Sequence, residues 1–137
     1  MSSAALSERL AAALVDAGVG LLFGVPGGGP NLELIGAAEA AGIGFVLAHG
    51  ETAAAIMAST NGLLAGRPSG VVVTRGPGAA SLANGLAQAT LDRHPLVAMT
   101  DTVPTAGRDR VAHQRLDQVA LLGPVSKRSV TVGPSAG

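Results

Sequence analysis

Apolar runs too short to be helices alternate along this chain with helix-length stretches, and that alternation restricts the fold more than any other feature. The runs at Leu21–Val25, 45–48, 70–74 and Leu96–Thr100 contain four or five residues each, and a last strand is expected near 129–132. Between them, Leu6, Leu10 and Leu14 recur every four residues with Ala11 and Val15 beside them, which predicts an amphipathic helix ending at Gly18 or Gly20. Asn31 is placed to cap a helix running to about Gly42, and the alanine-rich stretch Glu51–Ala65 is closed by Gly66-Arg67-Pro68. Gly76-Pro77-Gly78 turns the chain into a helix reaching about Arg93, and a short helix is expected over 116–122. Strands separated by helices imply a parallel sheet covered on both faces. Leu21-Leu22-Phe23 and Val71-Val72-Val73 lack polar alternation, as strands buried on both sides do. The expected fold is α/β: a three-layer α/β/α sandwich with right-handed crossovers and a mainly parallel sheet of about five to six strands.

Composition narrows the functions available. A chain of 137 residues fits one domain, expected over 1–132, and the Gly133-Pro134-Ser135-Ala136-Gly137 tail has linker composition. Only 13% of the residues are charged, against about a quarter in ordinary domains. That leaves neutral surface for a partner to cover. The net charge is zero and the basic residues are scattered, which argues against nucleic-acid binding. With no cysteine there is no disulfide, thiolate metal site or cysteine nucleophile, and the three histidines lie far apart, so no metal is expected on this chain. The first residues carry Glu8 and Arg9 and do not form a signal peptide. No apolar stretch approaches the ~20 residues that span a bilayer. A cytoplasmic location is the default.

In open α/β sheets, sites lie at the carboxyl ends of the strands. Three segments fall there. Gly24-Val25-Pro26-Gly27-Gly28-Gly29-Pro30 could cradle a phosphate on backbone N–H groups, or be a tight turn; it has neither the Lys-Ser/Thr of a P-loop nor a dinucleotide fingerprint. Ala48-His49-Gly50-Glu51 places an acid at a strand-to-helix junction. That acid either complements the helix dipole or is a carboxylate in an apolar crevice, able to share a proton with a ligand. Thr74-Arg75-Gly76-Pro77-Gly78 is a rigid helix start whose glycines also let backbone approach a flat ligand.

Taken in order, these stretches resemble the N-terminal, pyrimidine-binding domain of thiamine-diphosphate-dependent enzymes of the acetolactate synthase and pyruvate oxidase type. The matching residues are Phe23-Gly24-Val25-Pro26-Gly27; His49-Gly50-Glu51 with Ala54, Ala55, Met57 and Ala58; Gly70-Val71-Val72-Val73-Thr74; Gly76-Pro77-Gly78; Asn84-Gly85-Leu86-Ala87; Asp92-Arg93-His94-Pro95; Gln114 with Asp117; and Pro124-Val125-Ser126-Lys127. The resemblance implies the pyrimidine-binding fold of those enzymes. It also implies that Glu51 contacts N1′ of the cofactor aminopyrimidine, where a carboxylic acid favours the imino tautomer that removes the C2 proton. Pro26, Gly27, Thr74, Gly76, Pro77, Gly78 and Ser81 would line the pyrimidine pocket, and Gln114 would face the reacting carbon. The implied activity is decarboxylation or carboligation of a small 2-keto acid.

The diphosphate and its Mg²⁺ would be held by a separate domain absent from these residues, in a homodimer or homotetramer, so the isolated chain is expected to be inactive. A fragment of a longer chain, a subunit of a split 2-keto acid decarboxylase and an inactive remnant all fit the length. The sequence departs from the resemblance at Val25, Gly50, Arg75, Ser81 and Asp101. Arg75, at the pocket rim, suggests an anionic substrate. The competing reading is a non-catalytic α/β module that binds a nucleotide, with Glu51 reading a ribose, or that serves oligomerisation.

Overall fold

In a computed structural model describing residues 2–103 and 113–133, the alternation resolves into four strands and five helices among the described residues. In chain order these are α1 (Ser3–Asp16), β1 (Leu21–Val25), α2 (Pro30–Ala40), β2 (Gly44–Leu47), α3 (Glu51–Ala65), β3 (Ser69–Val73), α4 (Pro77–Leu91), β4 (Leu96–Thr100) and α5 (Gln118–Leu122), followed by a 3₁₀ turn at Gly123–Val125. The strands form one parallel sheet in the order β2-β1-β3-β4. Leu22 pairs with Gly70 and Phe45, and Val71 with Phe23 and Ala98.

Side-chain alternation along the central strands divides the core in two. Leu22 and Val72 face a layer made by Ala11 and Leu14 of α1 and Leu34, Ile35 and Ala38 of α2. Phe23, Val71 and Val73 face the opposite layer, with Ala54, Ala55 and Ala58 of α3, Ala79, Leu82 and Leu86 of α4, and Leu122 of α5. This is the three-layer α/β/α sandwich expected. The central β3 is buried along its whole length, while the edge strands β2 and β4 are only partly covered. No helix among the described residues is long and apolar enough to cross a membrane.

Three local expectations differ from the structure. The sheet has four strands where five to six were expected, because residues 129–132 form no ladder: Val130 and Val132 are exposed, and a segment without a neighbouring strand cannot satisfy its backbone as a strand. Asn31 does not cap α2. Gly29 occupies that position, Pro30 leads the helix, and Asn31 is buried within the first turn. The last helix is shorter than 116–122, beginning at Gln118, where the Asp117 side chain accepts from the Ala120 N–H and so caps it. Most of the loop read at 103–110, and residues 134–137 of the linker-like tail, lie outside the described residues.

Small residues let α3 and α4 approach closely. A methyl group on Gly85 would stand 2.5 Å from Ala55 Cβ and 2.9 Å from the Thr52 carbonyl oxygen. Gly36, on the exposed side of α2, has open space at the same position. Gly85→Ala should therefore destabilise the chain by about 1–3 kcal/mol through overpacking. Gly36→Ala should stabilise it by about 0.5–1 kcal/mol through helix propensity. Chemical denaturation of the two variants beside the parent checks both signs.

Candidate functional site

The connections out of β1 and β3 run to opposite faces of the sheet. Chain leaving β1 enters α2, which packs on the Leu22 side, whereas chain leaving β3 enters α4, which packs on the Val71 side. Adjacent parallel strands whose connections diverge leave a crevice beyond their carboxyl ends. Pro26-Gly27 and Thr74-Arg75-Gly76-Pro77-Gly78 form its two walls.

Thr74 joins those walls. A methyl group on Gly27 would lie 2.4 Å from Thr74 Oγ1, and one on Gly78 would lie 2.8 Å from Thr74 Cγ2. Both turns therefore need glycine to seat against the same threonine. The Gly78 methyl position is also 3.4 Å from Glu51 Oε1, so the carboxylate at the start of α3 faces the start of α4. Glu51 is half-buried and accepts no hydrogen bond from the described residues. Its neighbour Thr52 donates from Oγ1 to the Ser81 carbonyl at 2.6 Å, which ties the two helix starts together. His49 is exposed.

Gln114 reaches the crevice through its backbone. Gly76 has φ +67°, and a Cβ there would meet the Gln114 carbonyl oxygen at 2.6 Å and Cα at 2.9 Å. Gln114 itself has φ +59°. The structure thus brings Glu51, Gly27, Thr74, Gly76, Gly78 and the Gln114 backbone to one end of the sheet. Pro26 adjoins Gly27 in its half-buried turn, Pro77 is exposed, and the Ser81 side chain is on an exposed face of α4.

Beside the two turns, the outward polar group is the Glu51 carboxylate, which has no partner among the described residues. Among the described residues there is no group of acidic or histidine side chains able to hold a metal ion.

A family profile described as "Thiamine pyrophosphate enzyme, N-terminal TPP binding domain" matches residues 4–121. The chain belongs to this thiamine pyrophosphate enzyme family. It is 40% identical to the acetolactate synthase of Bacillus subtilis (strain 168) over 126 residues, covering 92% of this chain and 22% of the relative. It is 37% identical to the acetolactate synthase isozyme 3 large subunit of Escherichia coli (strain K12) over 127 residues, covering 92% and 22%. With the acetolactate synthase large subunit of Lactococcus lactis subsp. lactis (strain IL1403) it shares 33% identity over 132 residues, covering 95% and 23%. The chain spans about a fifth of the length of the curated relatives it matches. Its relatives are thiamine-dependent enzymes of the acetolactate synthase type, and the matched segment is the N-terminal TPP-binding domain.

Arg75 of this family member is not a free cation at the rim. Its Nη1 donates to Asp101 Oδ2 at 3.0 Å and to the Thr102 carbonyl at 3.4 Å. The Asp101 side chain is only 8% exposed. Oδ1 of Asp101 also accepts from the Arg75 N–H at 3.0 Å and from Asn31 Nδ2 at 2.7 Å. Sequence reasoning noted Asp101 only as a departure and passed over Gln118. The signal available was an acid directly after a strand, in a chain with few charges.

If Thr74 Cγ2 is the obstacle at Gly78, Gly78→Ala should cost about 1–3 kcal/mol. Adding Thr74→Ser, which removes that methyl group, should recover most of the loss. A double-mutant cycle by thermal denaturation reads the coupling.

Proposed function

We propose that this chain is the pyrimidine-binding half of a thiamine-diphosphate-dependent 2-keto acid decarboxylase or carboligase, with Glu51 as the group that activates the cofactor aminopyrimidine. The observation that carries the reading is the Glu51 carboxylate. It is half-buried, unbonded within the described chain, and faces the glycine turn at the start of α4. Bound thiamine diphosphate supplies the electron sink for cleaving or forming the bond next to a 2-keto group.

The chain's own residues bind and orient. Gly27 and Gly78 let both turns close onto Thr74, which would form the floor beneath the edge of a ring. Glu51, in protonated form, would donate to a ring nitrogen, and as a carboxylate would accept the proton back. Pro26 and Pro77 stiffen the turns, Gly76 adopts the positive φ that lets Gln114 pack against it, and Ser81 anchors the start of α3 through its carbonyl. The Gln114 side chain, carried on backbone that packs against Gly76, would face the substrate. The ribose reading is less well served, because the Glu51 carboxylate neighbours the Gly78 turn after β3 and the loop after β1 lacks a dinucleotide fingerprint.

As the resemblance implies, the Mg²⁺ and diphosphate would be held by a second, diphosphate-binding domain of the same enzyme. That domain would be supplied within a homodimer or larger oligomer, and the isolated chain would be inactive. Two of the relatives named above are large subunits, which supports a working assembly larger than this segment.

Joined to a diphosphate-binding domain, the parent chain should bind thiamine diphosphate and the isolated chain should not, with NAD bound by neither. In the joined form, Glu51→Gln should lower turnover of a 2-keto acid by about 10²–10⁴-fold. Turnover unchanged by Glu51→Gln would refute the assignment, and tight NAD binding would replace it with the nucleotide reading.

A further inference from the structure

Arg75 and Asp101 both depart from the pattern that the rest of the chain resembles, and they are in contact. Asp101 follows β4 and Arg75 follows β3, so the parallel pairing that sets Val73 beside Thr100 also brings these two residues to neighbouring strand ends. Their contact is part of a closed set of bonds. Asp101 Oδ1 accepts from the Arg75 backbone N–H at 3.0 Å. Gln118, at the start of α5 and buried, donates from Nε2 to the Asp101 carbonyl at 3.0 Å. The Gln118 Oε1 then accepts from the Gly76 N–H at 2.7 Å. Two consecutive amides of the turn, at 75 and 76, are thereby held by one aspartate, the first directly and the second through a glutamine. The same carboxylate holds Asn31, at the start of α2, on the opposite wall.

We infer that Asp101 is the positioning residue of this crevice: it fixes the Gly76-Pro77-Gly78 turn, and with it the wall facing Glu51, while Arg75 neutralises its charge. The reason lies in what the turn otherwise lacks. The N–H groups of Arg75 and Gly76 lie between the end of β3 and the first turn of α4, where neither the ladder nor the helix gives them a backbone partner. An acceptor must come from elsewhere, and a buried carboxylate can serve only if a cation accompanies it. A guanidinium at 75 meets that need at the spot where the carboxylate is used. The role of Arg75 is then counter-ion to Asp101, which it engages through Nη1.

This inference deepens the thiamine reading, on which its functional meaning rests, but its test needs no cofactor. The full chain, labelled with ¹³C at the glutamate side-chain carboxyl and with ¹⁵N, reports two signals: the Glu51 carboxyl shift and the exchange rate of the Gly76 amide. Asp101→Ala should lower the melting midpoint, displace the Glu51 signal and speed Gly76 exchange by about tenfold or more. Leu14→Ala, a cavity in the far layer, should lower the midpoint while leaving both signals in place. Gln118→Ala loosens the same grip without stranding Arg75, and keeps the test alive should Asp101→Ala not fold. It too should displace Glu51 and expose Gly76. If the Asp101 and Gln118 variants that fold shift only the melting midpoint, as Leu14→Ala does, Asp101 is a structural residue and the inference is overturned. Failure of the thiamine reading would appear separately, as unchanged turnover in Glu51→Gln.

Discussion

Everything at the working end of this protein depends on the pairing of β1 with β3. These neighbours are parallel, both are buried in their central residues, and the chain leaves them toward opposite faces of the sheet. A gap between the two departing connections is unavoidable, since each connection must clear the sheet on its own side. The glycines at 27 and 78 seat against Thr74 at the floor of that gap, and Glu51 approaches from the start of α3. If β1 and β3 were not adjacent, the two turns would not share a threonine and the carboxylate would face no wall.

Charge is used sparingly, and where it is buried it organises structure. Most of the core is alanine, valine and leucine, packed closely enough for Gly85 to be needed between α3 and α4. Against that background the Arg75–Asp101 pair is conspicuous. Its value lies less in Coulomb attraction than in the acceptors it supplies to amides the fold would otherwise leave unpaired. The crevice therefore has two kinds of acid: Asp101, enclosed and fully engaged, and Glu51, half-buried and without a partner among the described residues.

Much of the architecture was legible because apolar periodicity reports burial directly. Leu96–Thr100 and Leu21–Val25 were delimited correctly by their apolar runs, and the other two strands to within a residue. Asn31 misled because asparagine favours caps, yet here Gly29 and Pro30 set the helix start and the amide was drawn inward by Asp101. Ser129-Val130-Thr131-Val132 misled because β-branched residues indicate a strand only when another strand is beside them. Arg75 misled because charge at a rim looks available until its partner, 26 residues away along the chain, is known.

The order of residues alone determined that the chain would be an α/β sandwich, which strands would be central, and that glycine-rich turns with one acid would gather at a single end of the sheet. These follow from local propensity and from the period of apolar residues, which any contiguous stretch contains. Tertiary structure decided that Glu51 faces Gly78, that Thr74 sits between two turns, and that Asp101 binds three distant segments. Those facts depend on strand order and register, which arise from simultaneous packing of both sheet faces and cannot be encoded in any one segment.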